Sequence, residues 1–321
     1  MKPLIWIIDE EWPDYLVETE MLKFRYPGCT IKFSPYEYGK DLEEFGHRAD
    51  MILCQIYASI PGDVIRKLQN CKGIAVYGGG YDRVDVATAR EVGISVTNVS
   101  DYCKEDVADY VIACIYHFNK QILSYENAMK EGQWGAQAVR KKIRRIKGST
   151  LLIIGLGRIG KAVAEKSQAL GMNVIAYDPY VEKGTMSGLG IEKVSWEIGL
   201  GQADFVSLSP ILNSETEGLF KYEDFLKMKN TAYLINTARG KIVVEQDLIK
   251  AVQQGSIAGA ALDVIEVEPP TLKESIFNCR DIVVTPHISY ISEESYSELK
   301  RRTVQNAMDM FEDRRPVDLV N

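Results

Sequence analysis

The sequence predicts an α/β protein with two doubly wound parallel sheets, each covered by helices. Three observations support this fold class. Short apolar runs rich in β-branched residues alternate with longer stretches of helical periodicity through most of the 321 residues. The alternation is interrupted by one long helical stretch and begins again near residue 150. A chain of this length can also bury two hydrophobic cores.

The first series of elements lies before residue 100. Four apolar runs predict strands, which are LIWII (4–8), MILC (51–54), GIAVY (73–77) and ISVT (94–97). Helical periodicity lies between them near 12–25, 61–70 and 84–92. The stretch 103–131 contains no proline and has apolar residues at helical spacing. We therefore expect one long helix over 103–131.

The second series predicts six more strands. These are TLLII (150–154), NVIAYD (173–178), DFVSLS (204–209), TAYLIN (231–236), SIAGAALDV (256–264) and DIVVTP (281–286). The stretch 292–313 returns to helical periodicity. Because no strand follows this helix, we expect it to pack back on the first unit. The predicted domains are therefore 1–99 together with 288–321, and 100–287, with a cleft between them.

Composition argues against several classes of protein. The formal net charge is −7, whereas a nucleic-acid binder needs basic surface that displaces counterions. A basic run within 140–147 is most simply an exposed connector. No segment has the ~20 apolar residues of a membrane-spanning helix, and the N-terminal apolar run is too short for a signal peptide. The six cysteines show no CxxC pair and no histidine at metal-ligand spacing, so we expect reduced thiols, no metal site and a cytoplasmic location.

The strongest local motif is LLIIGLGRIG, residues 151–160. Gly155, Gly157 and Gly160 form G-x-G-x-x-G directly after a predicted strand and at the start of a predicted helix. The first glycine permits a tight turn, the second lets backbone N–H groups approach a pyrophosphate, and the third lets helix and strand pack closely. Arg158 and Ile159 complete the loop. The motif predicts a Rossmann-like dinucleotide site.

Asp178 strengthens this prediction. It ends the next strand, 18 residues after Gly160. A carboxylate there can accept hydrogen bonds from ribose hydroxyls and would repel a 2′-phosphate, so NAD is favoured over NADP. Asp178 also precedes Pro179, and the alternative is that it is an ordinary turn residue.

Further segments extend the pattern, namely YGGGYDRVD (77–85), YDPY (177–180), NTARG (236–240), AALDVIEVEPP (260–270) and TPHISY (285–290). With the glycine motif, their order and spacing resemble the D-isomer-specific 2-hydroxyacid dehydrogenases. The region around DYCKEDVADY resembles the branch that contains the C-terminal-binding proteins and their bacterial relatives. The resemblance implies two Rossmann-like domains, the outer one discontinuous, with the active site in the cleft.

The resemblance also implies site residues. Arg239, Glu268 and His287 would be catalytic, with Arg239 on the substrate's carboxylate and carbonyl and Glu268 paired with His287, the proton donor. Gly79 and Gly80 would offer backbone N–H groups to the substrate carboxylate. The implied cofactor contacts beyond the glycine loop and Asp178 are Ser209, Thr216, Thr237, Ala238 and Asp263. One segment departs from the family pattern, because Ser209-Pro210-Ile211-Leu212-Asn213 stands where many members have H-x-P-L-T.

The chemistry requires these residue types independently of the resemblance. Hydride transfer to a ketone builds negative charge on its oxygen, which histidine can protonate near neutral pH. A carboxylate beside the ring stabilises the protonated imidazole. A guanidinium presents a planar fork to a carboxylate, as lysine does not. Taken singly, Arg239 could be a surface residue, Glu268 a loop acid and His287 a strand cap, but all three lie at the carboxyl ends of predicted parallel strands, where such sheets bind ligands.

Two functions of different classes remain open at this point. The first is an NAD-dependent oxidoreductase that interconverts a small 2-oxo acid and a D-2-hydroxy acid. The second is a non-enzymatic, NAD(H)-sensing scaffold on the same fold. The resemblance also implies a homodimer. The apolar content of the predicted helix supports the same prediction (Val111, Ile112, Ile115, Tyr116 and Phe118).

Overall fold

The computed structural model describes residues 2–139, 143–271 and 273–321. The chain divides into two compact units. The first unit comprises Met1–Tyr102 and Ser292–Asn321, and the second comprises Cys103–Ile291. In the part of the chain that the structure describes, no helix is both long and apolar enough to cross a membrane. Of the basic run, Arg140, Lys141 and Lys142 lie outside the described residues, and the other basic side chains are exposed.

The first unit contains a five-stranded parallel sheet in the order β2-β1-β3-β4-β5. Its strands are β1 (Leu4–Ile8), β2 (Thr30–Ser34), β3 (Met51–Gln55), β4 (Gly73–Tyr77) and β5 (Ser95–Thr97). Its first helices are α1 (Leu16–Arg25), α2 (Gly39–Glu44), α3 (Gly62–Ile65) and α4 (Val86–Glu91). The sequence did not predict β2. This strand lies at the edge of the sheet and is largely exposed, so it lacks the apolar run that marked its neighbours.

The prediction of one helix over 103–131 is wrong. The structure has two helices there, α5 (Lys104–Lys120) and α6 (Ile122–Lys130). Gln121 separates them because its backbone is left-handed, with φ of +54°. Its side-chain Nε2 donates a hydrogen bond to the carbonyl of Phe118 at 2.6 Å, which satisfies one of the carbonyls left free at the end of α5.

The second unit contains a seven-stranded parallel sheet in the order β12-β11-β10-β9-β6-β7-β8. Its strands are β6 (Thr150–Ile154), β7 (Asn173–Tyr177), β8 (Glu192–Lys193), β9 (Phe205–Leu208), β10 (Tyr233–Asn236), β11 (Gly259–Leu262) and β12 (Ile282–Val284). Its remaining helices are α7 (Arg158–Ala169), α8 (Lys183–Gly188), α9 (Trp196–Gln202), α10 (Tyr222–Phe225) and α11 (Glu245–Gln253). The last helix, α12 (Glu293–Phe311), belongs to the first unit.

The core of the second unit lies on both faces of its sheet. Along β6, Leu151 and Ile153 belong to a cluster with residues of α5 and α7, whereas Leu152 and Ile154 belong to a cluster on the opposite face. This double burial explains why the strands appear in the sequence as continuous apolar runs. The strand order reverses at β6, which has β7 on one side and β9 on the other. Ligands of such sheets bind outside the carboxyl ends of the strands at this switch point.

Candidate functional site

The glycine loop joins β6 to α7 at the switch point. A Cβ atom on Gly155, whose φ is +87°, would lie 2.7 Å from the nitrogen of Pro210, which follows β9. A Cβ on Gly160 would lie 2.3 Å from the carbonyl oxygen of Gly155. A Cβ on Gly157 would meet nothing within 4 Å. Packing therefore requires glycine at the first and third positions, while the second leaves open space beside the N-terminus of α7, where backbone N–H groups favour an anion.

Asp178 follows β7 and is bound to the same loop. One carboxylate oxygen accepts the N–H of Leu156 at 2.8 Å. The other accepts the N–H groups of Tyr180 at 2.9 Å and Val181 at 3.2 Å. Asp178 therefore organises a turn, as the alternative interpretation held, and it also ties that turn to the glycine loop. The oxygen that receives only Leu156 retains capacity for a further donor.

His287 and Glu268 form a pair. The Nδ1 atom of His287 lies 3.2 Å from Oε2 of Glu268, and the two side chains are 11% and 13% exposed. The other oxygen of Glu268 accepts the N–H of Ile265 at 3.1 Å, which holds the carboxylate in place. The structure thus brings together a histidine and a carboxylate that lie 19 residues apart in the sequence. A carboxylate at this distance holds the ring in one orientation.

Asp263 holds the segment that carries His287. Its buried carboxylate accepts three hydrogen bonds, from the hydroxyl of Thr285 at 2.7 Å and from the N–H groups of Ile288 at 2.8 Å and Ser289 at 2.7 Å. The N–H of His287 donates to the backbone carbonyl of Asp263 at 2.9 Å. His287 has a φ of +54°, a conformation that is uncommon outside glycine, so these contacts stabilise a backbone that would otherwise be unfavourable. This role of Asp263 and the contribution of Thr285 have no signal in the sequence, because the hydrogen bonds join segments far apart along the chain.

Arg239 follows β10 on a loop that contacts the loop of Glu268. The side-chain oxygen of Asn236 accepts the N–H of Ala238 at 3.0 Å, and its Nδ2 donates to the carbonyl of Arg239 at 2.9 Å. A Cβ on Gly240 would lie 1.9 Å from the carbonyl carbon of Ile265, so glycine alone allows this close approach of the two loops. The half-buried Arg239 donates from Nη1 to the carbonyl of Ala238 at 2.7 Å.

Two further predicted cofactor contacts lie after β9. The hydroxyl of Ser209 is buried and has no hydrogen-bond partner among the described residues. The hydroxyl of Thr216 instead donates to the carbonyl of Ile211 at 2.5 Å, within a turn that Asn213 also stabilises. Asn213, which departs from the family pattern, is the sequence signal for this turn, because asparagine side chains hydrogen-bond to the backbone two or three residues later. Thr237 is buried and Ala238 is half-buried. The cofactor contacts of Thr216, Thr237 and Ala238 stay predictions.

The predicted substrate loop of the first unit follows β4. Gly78 has a φ of +144°, and a Cβ there would lie 2.6 Å from Cγ2 of Ile56. Asn98 donates from Nδ2 to the carbonyl of Gly79 at 2.8 Å, and Val99 donates its N–H to the carbonyl of Gly78 at 2.8 Å. The three consecutive glycines are therefore a loop tied at two carbonyls rather than an unrestrained one.

Known proteins share these sequence features and this fold. Residues 112–289 match the family model described as D-isomer specific 2-hydroxyacid dehydrogenase, NAD binding domain. A glyoxylate reductase of Korarchaeum cryptofilum is 33% identical over 274 residues, which cover 85% of this chain and 82% of the relative. A glycerate dehydrogenase of Methylorubrum extorquens is 32% identical over 300 residues, covering 90% and 91%.

Solved structures extend the comparison to the whole chain. A glyoxylate reductase from Paecilomyes thermophila superposes with a TM-score of 0.86 at 25% identity, covering 100% of this chain and 99% of that one. A D-lactate dehydrogenase from Aquifex aeolicus, complexed with NAD and lactic acid, superposes with a TM-score of 0.85 at 25% identity, covering 97% and 96%. Together with the family model and the relatives above, these matches place the chain in the D-isomer specific 2-hydroxyacid dehydrogenase family. The residues that match the family's NAD-binding domain lie in the second unit of this chain.

Proposed function

We propose that this protein is an NAD-dependent oxidoreductase that reduces a small 2-oxo acid to a D-2-hydroxy acid and runs the reaction in reverse. The observation that carries the proposal is the His287–Glu268 pair, at 3.2 Å, on a segment held by the carboxylate of Asp263. The named relatives are reductases and dehydrogenases, which favours catalysis over an NAD(H)-sensing scaffold. The assignment to the branch of C-terminal-binding proteins stays a prediction.

The proposed catalytic residues have different tasks. His287 gives a proton to the substrate's carbonyl oxygen during reduction and takes it back during oxidation. Glu268 holds the imidazole ring through Nδ1, and we assign the proton transfer to Nε2. Arg239 binds the substrate carboxylate through its planar fork and polarises the adjacent carbonyl. The role of the Gly79 and Gly80 N–H groups in substrate binding stays a prediction. The first unit is then the substrate domain and the second the cofactor domain.

The residues of the second unit fit a nicotinamide dinucleotide. The open space at Gly157 beside the start of α7 suits a pyrophosphate, and Asp178 suits the ribose hydroxyls. The buried Ser209 hydroxyl offers a further polar contact. When bound, the cofactor supplies the hydride for reduction and accepts it for oxidation. We propose a preference for NADH over NADPH, because the Asp178 carboxylate would repel a 2′-phosphate.

The cofactor assignment is tested with Asp178→Ala. The change removes both the ribose hydrogen bonds and the repulsion, so the ratio of kcat/KM for NADH to that for NADPH should fall. Wild-type protein that used NADPH equally well would contradict the role given to Asp178. Because Asp178 also accepts the N–H of Leu156, Asp178→Asn is the companion variant, since it keeps an acceptor for that group while it removes the charge.

The catalytic proposal is tested with His287→Ala. Turnover of NADH with 2-oxo acids, screened over glyoxylate, pyruvate, hydroxypyruvate and bulkier members, should fall by roughly 10²–10⁴-fold. NADH binding, followed by fluorescence, should persist because proton donation and cofactor binding are separate tasks. His47→Gln is the control, since that histidine lies in the first unit and contacts the carbonyl of Leu42. Near-normal turnover by His287→Ala would show that this histidine only caps a strand. Tight NADH binding by the wild type without any turnover would favour the NAD(H)-sensing scaffold.

We also propose a homodimer, for a reason that differs from the sequence prediction. Val111, Ile115 and Phe118 are buried in the core of their own unit, so they do not offer an apolar surface. Exposed apolar side chains lie instead on α6 and just after it, namely Ile122, Leu123, Met129 and Trp134. Met129 and Trp134 line one concave surface with Tyr125, and a contiguous apolar patch is typical of association sites. Sedimentation that showed only monomer at micromolar concentration would contradict the dimer. The cytoplasmic location stays a prediction from the cysteine usage.

A further inference from the structure

A chain of hydrogen bonds leads from the segment of His287 into helix α5. The hydroxyl of Thr285 bonds to the carboxylate of Asp263 at 2.7 Å, and the hydroxyl of Tyr110 bonds to the same Thr285 hydroxyl. Tyr110 lies on α5, 175 residues before Thr285 in the sequence. Nothing in the sequence pattern or in the reaction chemistry assigns a task to Tyr110.

The direction of these hydrogen bonds follows from counting protons. A carboxylate only accepts, so the contact between Thr285 and Asp263 uses the one proton that the threonine hydroxyl carries. The contact between Tyr110 and Thr285 therefore takes its proton from Tyr110. Burial raises the pKa of the Tyr110 hydroxyl above its usual value, which keeps it protonated and able to donate. The chain runs from Tyr110 to Thr285 to Asp263, and each bond polarises the next.

Asp263 is the point at which this chain meets the catalytic segment. The same carboxylate receives the N–H groups of Ile288 and Ser289, the two residues that follow His287. The oxygen that accepts Ile288 is the one that accepts Thr285. A carboxylate rotated by loss of the Thr285 bond would therefore release the backbone that keeps His287 in its left-handed conformation.

We infer that Tyr110 is a positioning residue for His287, acting through Thr285 and Asp263. The inference rests on the proposed function, because it concerns the placement of the proton donor. It predicts that removing one hydroxyl on α5 lowers the rate of the chemical step by a larger factor than it weakens cofactor binding, in which Asp263 also has a predicted role. Small displacements of a catalytic group are costly because the reacting atoms must lie within a narrow range of distances.

The first test is a double-mutant cycle. Tyr110→Phe should lower kcat for 2-oxo acid reduction by roughly 3- to 10-fold, the range of one ordinary hydrogen bond, and should change the Kd of NADH by a smaller factor. In a His287→Ala background the same substitution should cause no further loss, because Tyr110 acts only through His287. Equal losses in both backgrounds, or no loss in either, would overturn the inference. Near-normal turnover by His287→Ala would instead reject the proposed function, and the inference with it.

Matched variants separate positioning from general packing. Tyr116→Phe removes a hydroxyl from a half-buried tyrosine on the same helix, for which the described part of the chain shows no hydrogen bond, and it should leave kcat unchanged. Thr285→Ser keeps the hydroxyl and should retain most activity, whereas Thr285→Val should lose at least as much as Tyr110→Phe, because it removes the hydrogen bond to Asp263 itself. Amide hydrogen exchange gives a readout independent of activity. Exchange at Ile288 and Ser289 should be faster in Tyr110→Phe and unchanged in Tyr116→Phe, and unchanged exchange in both would overturn the inference.

Discussion

The two units each bury a carboxylate, and they stabilise it by different means. In the second unit, Asp263 is 1% exposed and accepts three hydrogen bonds at 2.7–2.8 Å. In the first unit, Glu18 is 0% exposed, yet among the described residues neither carboxylate oxygen has a hydrogen-bond partner. The ammonium of Lys300 compensates the negative charge of Glu18, with its Nζ 3.8 Å from Oε2 of Glu18. The Lys300 side chain is 2% exposed.

Lys300 itself lies among aromatic rings. Its Nζ is 4.7 Å from the ring centre of Trp12, 4.9 Å from that of Tyr296 and 5.7 Å from that of Tyr15, and it donates to the carbonyl of Asp14 at 2.7 Å. Ring faces attract a cation without fixing its direction, whereas hydrogen bonds fix both distance and angle. The Asp263 carboxylate therefore sets the geometry of a segment, while the Lys300 cluster (Trp12, Tyr15, Glu18, Tyr296 and Lys300) balances charge inside a core.

The largest expected effect is a loss of stability when the charge balance inside the first unit is removed. Lys300→Met keeps the volume of the side chain but leaves Glu18 buried without its ammonium. Removal of one partner of a buried pair costs about 3–5 kcal/mol of unfolding free energy. Urea denaturation at neutral pH measures this loss, and a loss below about 1 kcal/mol, the range of an exposed pair, would show that Glu18 does not depend on Lys300.

The pH dependence of the same variant identifies the cause. Burial raises the pKa of Glu18 above 4.5, an effect that Lys300 opposes. A carboxyl whose pKa is raised on folding stabilises the protein most below its unfolded pKa, and this contribution is lost as pH rises through the folded pKa. Lys300→Met should therefore lose more stability at pH 8 than at pH 4. The double variant Glu18→Gln with Lys300→Met should recover much of the loss and show a flatter profile, and a loss independent of pH would contradict this.

A smaller effect is expected when the Asp263 hydrogen bonds are altered without a change of shape. Asp263→Asn replaces one acceptor oxygen with a donor that faces N–H or O–H groups. One buried, unsatisfied hydrogen bond costs about 1–3 kcal/mol. Because the bonded groups flank His287, turnover should fall together with stability, whereas Lys300→Met should leave the kcat of the folded fraction within a few-fold. If Asp263→Asn lowered stability alone, Asp263 would serve the core and not the catalytic segment.

The smallest effect concerns an ion pair at the surface of the first unit. Arg25 forms two hydrogen bonds with Glu312, at 2.7 and 2.8 Å, and Tyr26 donates to the same carboxylate at 2.7 Å. The Arg25 guanidinium, followed by Tyr26, lowers the pKa of Glu312 from 4.5 to about 2. Its contribution to stability is therefore present above pH 4.5 and is lost as pH falls towards 2.

Glu312→Gln should lower Tm by roughly 1–3 °C at neutral pH and have no effect near pH 2, because exposed pairs contribute little. Glu298→Gln is the control, since Glu298 pairs with Arg301 at 2.6 Å in a more exposed position. A Glu312→Gln variant with the same Tm difference at both pH values would show that packing, and not charge, is what the substitution changes.

The sequence predicted the strands whose residues are buried on both faces. The runs LIWII, GIAVY and TLLII correspond residue for residue to β1, β4 and β6, because a fully buried parallel strand must be apolar along its length. It also predicted the glycine loop, since a left-handed turn and a close contact leave glycine as the residue that fits. The family, the fold class and the nicotinamide cofactor followed from these local signals and from the order of the motifs, and the comparisons confirmed them.

Other features were decided by the tertiary structure alone. Glutamine is an ordinary helix residue, so the break at Gln121 has no signal in the sequence, and β2 acquires its pairing only from β1 beside it. The placement of His287 depends on Asp263, Thr285 and Tyr110, which lie on β11, β12 and α5 or just after them. A spacing pattern reports contacts within a few residues, whereas these hydrogen bonds join residues 22 and 175 positions apart, and only the packing of α5 on the sheet brings them within reach.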